Sequence, residues 1–266
     1  MPHRMQDSVT RKPPMLDWRH LCLLLLAFGS LAILWNRPPL AQDLRYHEFA
    51  DRDAWFGLPN FFNVISNLPF LIAGVAGLDF CRKRKGEMNV AWSVFFAGVS
   101  LVSFGSGWYH LRPDNASLVW DRLPMTIGFM ALTSALLGEY VSERLGRWVL
   151  FPALLTGFWS VAHWQRSDDL RFYAWVQFAP LLVLPAMMAL FPSRYSHRGL
   201  LWLAMGFYAL AKVLEACDGG IFRLTGGIIG GHPLKHLASA AACWTLLEML
   251  KRRNEALPPN GSPSLL

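Results

Sequence analysis

Residues 90–111 read VAWSVFFAGVSLVSFGSGWYHL, a run with no Asp, Glu, Lys or Arg and with His110 one residue from its end. About 20 apolar residues in helical form cross roughly 30 Å of hydrocarbon, so this stretch reads as one transmembrane helix. Seven further segments read the same way: His20 to Trp35, Asn60 to Phe80, Arg122 to Val141, Trp148 to Trp164, Arg171 to Phe191, Gly199 to Ala216 and His232 to Leu250. The expected fold class is all-α, a polytopic membrane helix bundle. Composition agrees, since 53% hydrophobic against 16% charged residues in a chain of 266 excludes disorder and cannot furnish the surface of a water-soluble globule. The 12 Trp suit a bilayer interface.

A net charge of +7 could reflect nucleic acid, an anionic surface or the positive-inside bias of a membrane protein. Its distribution favours the last. Fifteen of the 25 Lys and Arg fall on one side of an eight-span topology: Arg4, Arg11, Lys12 and Arg19, the run Arg82 to Lys85, Arg144 and Arg147, Arg194 and Arg198, and Lys251 to Arg253. Eight fall on the other: Arg37, Arg45, Arg52, Arg112, Arg122, Arg166, Arg171 and Arg223. Both termini are thereby placed in the cytoplasm, and no basic stripe interleaved with aromatics marks a nucleic-acid groove. Residues 1–19 and 252–266 read as solvated tails, the second disordered by its Pro and Ser content. The first span reads as an uncleaved anchor, because Pro38 and Pro39 spoil a signal-peptide cleavage pattern. Cys22, Cys81, Cys217 and Cys243 form no CxxC pair and argue against both a disulfide framework and a thiolate zinc site.

Ionisable groups inside membrane spans are costly and therefore mark candidate functional positions. Topology sets His110, Asp121, His232 and His236 at one depth on the outer side, with Ser106 one helical turn from His110 on the same face. The HPLKH run at 232–236 holds two imidazoles four residues apart, a spacing that lets both reach one metal ion. Two His hydrogen-bonded at an interface have the same local sequence. A third His at that depth shifts the reading toward catalytic zinc, where three protein ligands leave one position open. Such an ion acidifies water and polarises a carbonyl. A carboxylate beside it can move a proton and a hydroxyl can support an oxyanion, roles open to Asp121 and Ser106. Each also has a plainer reading: Asp121 as the N-cap of the fourth span with Pro124 in its first turn, Ser106 as a small packing residue.

These residues, in order, resemble a family. NVISN at 63–67, SGWYH at 106–110, DRLP beginning at Asp121 and HPLKH at 232–236 are similar to the motifs of the alkaline ceramidases, within the CREST superfamily of seven-helix membrane hydrolases. The chain is identified on these motifs as a prokaryote-like member, with residues 46–251 as the seven-helix CREST-like core and 20–45 as one extra N-terminal transmembrane helix and linker. The resemblance implies Zn2+ on His110, His232 and His236, Asp121 as general base and Ser106 at the oxyanion. The implied reaction is hydrolysis of the linear amide C–N bond of a ceramide-like lipid, giving a fatty acid and a sphingoid base, with the bilayer and its lipids as partners. Asn63 and Ser66 fall in a family segment where a structural role between helices is open beside a catalytic one. Eukaryotic ceramidases carry an acidic, calcium-linked segment before NVISN, with a Glu where Asn60 stands here. Glu48, Asp51 and Asp53 offer oxygen ligands at a different spacing, so Ca2+ stays open beside a solvated acidic loop.

Two other classes remain. Lipid-sensing receptors of the same superfamily share the zinc motif, and a haem protein would need His pairs on facing helices. Lys212 and Glu215 are spaced to pair, either as a structural ion pair or as part of a lipid cavity, and Lys235 is expected to snorkel toward headgroups. The expected location is a bacterial inner membrane with the zinc site toward the outer leaflet.

Overall fold

A computed structural model describes residues 17–86 and 88–255. The tail expectations for 1–16 and 256–266 lie outside the described residues. Ten α-helices follow in order: α1 (Trp18–Trp35), α2 (Phe61–Ile65), α3 (Leu68–Arg82), α4 (Asn89–Leu111), α5 (Asn115–Tyr140), α6 (Glu143–Ser167), α7 (Arg171–Leu190), α8 (Gly199–Ala216), α9 (Asp218–Leu224) and α10 (Gly231–Arg252). Among the described residues there is no strand. The chain is an all-α polytopic helix bundle, and six helices are long and apolar enough to cross a membrane: α1, the α2–α3 pair, α4, α6, α7 and α8.

The two long helices outside that set, α5 and α10, carry many of the polar residues of the interior. Asp121, Arg122, Ser134 and Glu139 on α5, and His232, His236 and Thr245 on α10, are all buried. Their neighbours supply the apolar surface instead, with Trp148, Phe151 and Leu25 each more than three-fifths exposed on the outside of the bundle. So much exposed apolar surface is what a lipid-facing bundle presents.

Several boundaries differ from the sequence expectations, among them the start of α6 at Glu143 rather than Trp148. The Asn60 to Phe80 span is two helices, because Pro69 enters at the first turn of α3 and the Asn67 side chain donates back to the Asn63 carbonyl at 2.8 Å. α5 starts at Asn115, seven residues before the expected Arg122. Asp114 caps it, accepting the Ser117 N–H while the Ser117 hydroxyl accepts the Asp114 N–H. Asp121 is therefore not an N-cap, and Pro124 lies inside the helix rather than in its first turn. α1 begins at Trp18, so residues 18 and 19 of the expected tail are helical.

α1 packs against α7 and buries a single residue, Leu23, as befits a helix added to the side of a bundle. Arg171 ties it down by donating to the carbonyls of Trp35 and Arg37, and Trp175 donates to Ala27. The same Arg171 guanidinium pairs with Asp169 and holds that carboxyl down at about 2. In the rest of the bundle α4 lies between α3 and α5, α5 against α6 and α7, and α10 against α8 and α3. At Gly105 a Cβ would stand 2.0 Å from the Trp120 carbonyl oxygen, so only glycine lets α4 and α5 approach this closely, one residue from Ser106 and one from Asp121.

Candidate metal centre

Antiparallel neighbours bring the C-terminal end of α4 to the N-terminal ends of α5 and α10. His110, His232 and His236 meet there, each with a ligand-capable atom within 4.8 Å of the others. Their ring centroids are 4.9 to 5.0 Å apart, and no imidazole exposes more than 5% of its surface. Phe49 covers two of them from the 44–60 segment, its ring 4.7 Å from His110 and 4.4 Å from His232.

The hydrogen bonds around these rings fit a metal better than they fit one another. The Ser66 hydroxyl is 3.2 Å from the Asn63 carbonyl, which consumes its proton, and its oxygen lies 2.8 Å from His236 Nδ1. Nδ1–H must then be the donor, which leaves the Nε2 lone pair of His236 free for a ligand bond. Nδ1 of His110 and Nε2 of His232 are buried with no hydrogen-bond partner among the described residues. Unpaired buried nitrogens are costly, and coordination satisfies them. Ser66→Ala should leave the fold intact and weaken metal binding by about 10- to 100-fold, the usual cost of losing such a partner; competition with a chelator of known affinity reads it.

The start of α10 is also built. The Asp218 carboxylate accepts the N–H of His232 at 2.8 Å through one oxygen and that of Ala50 at 2.8 Å through the other. It thereby satisfies an orphan donor at the positive end of α10 and pins the 44–60 segment to it. At Gly231 a Cβ would stand 2.1 Å from the Leu214 carbonyl oxygen, so glycine there lets α10 seat against α8. Asn60, in a left-handed conformation, donates to the His110 carbonyl at 2.8 Å, and Asn63 donates to that of Asp51 at 2.8 Å. Asn60, Asn63 and Ser66 thus hold backbone and imidazole in place.

Of the acidic residues considered for calcium, Glu48 and Asp53 are exposed while Asp51 is fully buried. Burial raises the Asp51 carboxyl, whose Oδ1 accepts the Asp53 N–H at 3.2 Å and whose Oδ2 is unpartnered. Among the described residues these three do not gather into a metal-holding group; the imidazoles are the group that does.

Ser106 on α4 and Asp121 on α5 both line one cavity. With His236 they line the polar end of a cavity of about 400 Å³. Below them the walls turn apolar: Phe95, Val99, Phe129, Leu136, Leu184 and Leu246. On α5 this lining runs from Asp121 to Leu136, about 22 Å at 1.5 Å per residue. Residues of both α7 and α8 wall the cavity, and half-exposed Phe178 stands at its edge.

Several residues at the polar end were not legible as site residues. Lys235 does not snorkel outward: it lines the cavity and pairs with Glu215 at 2.5 Å, and Lys212 closes on the same carboxylate from the other side. The spacing of Lys212 and Glu215 announced that pair; nothing local announced Lys235. Arg122, counted as a loop charge, is buried within α5. Tyr46 and Gln42 reach the cavity from the segment before α2. No family model matches the chain, and no curated protein is significantly similar to it.

Proposed function

We propose that the chain is a zinc-dependent amidohydrolase of the membrane, cleaving the N-acyl amide bond of a ceramide-like lipid to a fatty acid and a sphingoid base. The observation that carries this reading is the union of two features: a buried three-His group, and a long apolar cavity whose polar end holds His236, Asp121 and Ser106. The ordered motifs that resemble those of the alkaline ceramidases point the same way. His110, His232 and His236 would hold the metal, with zinc favoured by an all-imidazole set. When bound, the ion supplies Lewis acidity to a water and to the amide carbonyl.

The protein's own groups do the rest. Asp121 accepts the proton of the attacking water as the new C–O bond forms. It returns that proton to the amine nitrogen as the C–N bond breaks, so atoms and charge balance. Ser106 turns its O–H to the oxygen of the tetrahedral species. The apolar walls, which include residues of α7 and α8, hold the acyl chain. The charge bias read from the sequence supports a topology with both termini in the cytoplasm and the metal centre toward the outer leaflet of a bacterial inner membrane.

The test is fatty-acid release by the purified protein in micelles, over a set of N-acyl sphingoid lipids, before and after chelation. Release that chelation abolishes and zinc restores is the expected result. No metal-dependent release from any N-acyl lipid, with lipid-dependent partner binding instead, would move the chain to the receptor reading.

A further inference from the structure

Arg122 is buried to 5% exposure at the polar end of the cavity, one residue beyond Asp121. Its guanidinium lies 4.0 Å from the ring centroid of Trp164, 4.6 Å from that of Tyr173 and 6.0 Å from that of Tyr46. Nη2 donates to Gln42 Oε1 at 2.5 Å, whereas Nη1 is buried without a partner. The other two cations of this region, Lys212 and Lys235, share the single carboxylate of Glu215. Among the described residues no carboxylate lies within 4.0 Å of the Arg122 guanidinium. Asp121 is its chain neighbour but leaves the helix at a different angle, so it acts on the guanidinium through charge at a distance and forms no ion pair with it.

A guanidinium buried without a counter-ion is unfavourable, and aromatic faces offset only part of that cost. Its planar fork matches an oxyanion better than any neutral group. Gln42 and the three rings hold that fork in one orientation, which makes it a built position rather than a stray charge.

We propose that Arg122 recognises an oxyanion on the polar head of the lipid, so that the preferred substrate is an N-acyl lipid carrying a carboxylate or phosphate near its amide. The placement of the acyl chain rests on the function proposed above. The guanidinium takes the oxyanion from the polar end of the cavity, which Arg122 lines, while the Gln42 contact holds Nη2.

Equilibrium binding to the full-length protein in nanodiscs tests it with three probes of equal chain length: N-palmitoylglycine, uncharged N-palmitoylethanolamine and free palmitate. The unmodified protein should bind N-palmitoylglycine at least about tenfold more tightly than the ethanolamide, the scale of one charge-assisted hydrogen bond. Arg122→Gln should erase that preference and keep ethanolamide affinity. Equal affinity of the unmodified protein for the two amides overturns the proposal, and so does a preference that survives Arg122→Gln. Palmitate binding as tightly as N-palmitoylglycine, with the same Arg122 dependence, overturns it in favour of a site for the released acid. Should Arg122→Gln not fold, Arg122→Lys replaces it: loss of the fork should cut the preference severalfold, and an undiminished preference overturns the assignment. Binding is read here without turnover, so failure of both amides to be cleaved counts against the hydrolase and leaves this outcome readable.

Discussion

Asp121→Asn should lower kcat for fatty-acid release by about 10²- to 10⁴-fold, the span of a positioned general acid–base, while metal content and fold stay as they are. The substitution keeps the size of the side chain and removes the capacity to take and return a proton. Asp121 sits two turns inside α5, where its carboxyl is not needed to cap the helix, since Asp114 does that. A role confined to helix stability therefore predicts little change in rate and a changed melting temperature. The proposed role predicts the reverse. Rate measured under saturating lipid, with zinc content and melting curve on the same sample, separates the two.

His236→Ala should lose both metal and turnover. It removes the one imidazole whose tautomer is set by a partner, Ser66, and the one that lines the cavity. A second consequence follows from mass action: a metal present at 100 times its dissociation constant stabilises the folded state by about 2.7 kcal/mol, which the variant forfeits. Zinc added to the metal-stripped wild-type chain should raise its melting temperature, and zinc added to His236→Ala should not. An equal shift in both would place the metal elsewhere.

The architecture was legible because hydrophobic runs are long and helix-forming. All eight expected spans correspond to helices or, for residues 60–80, to a helix pair. What local pattern could not supply was the start of α5. The segment RPDNASLVW reads as a loop followed by a weakly apolar stretch, and the Asp114 and Ser117 capping box that makes it helical was overshadowed by Asp121 and Pro124 downstream. That two-turn error carried Arg122 into the loops and hid the buried cation. Of the site, the depth argument found the residues the structure gathers, His110, His232 and His236 with Ser106 and Asp121, because polar groups in apolar helices stand out. It could not find Phe49, Gln42 or Tyr46, which come from a segment with no periodicity and enter through tertiary folding. Lys235 misled for a related reason: its helix face was clear, but Glu215 on α8 turned it inward.

The central claim is that the three imidazoles at the head of the cavity hold a metal ion. Elemental analysis of the unmodified protein, purified without added metal, tests it most directly. One zinc per chain is expected, removed by a strong chelator and regained on adding zinc back. A folded, lipid-binding protein that carries no transition metal and takes up none would contradict it.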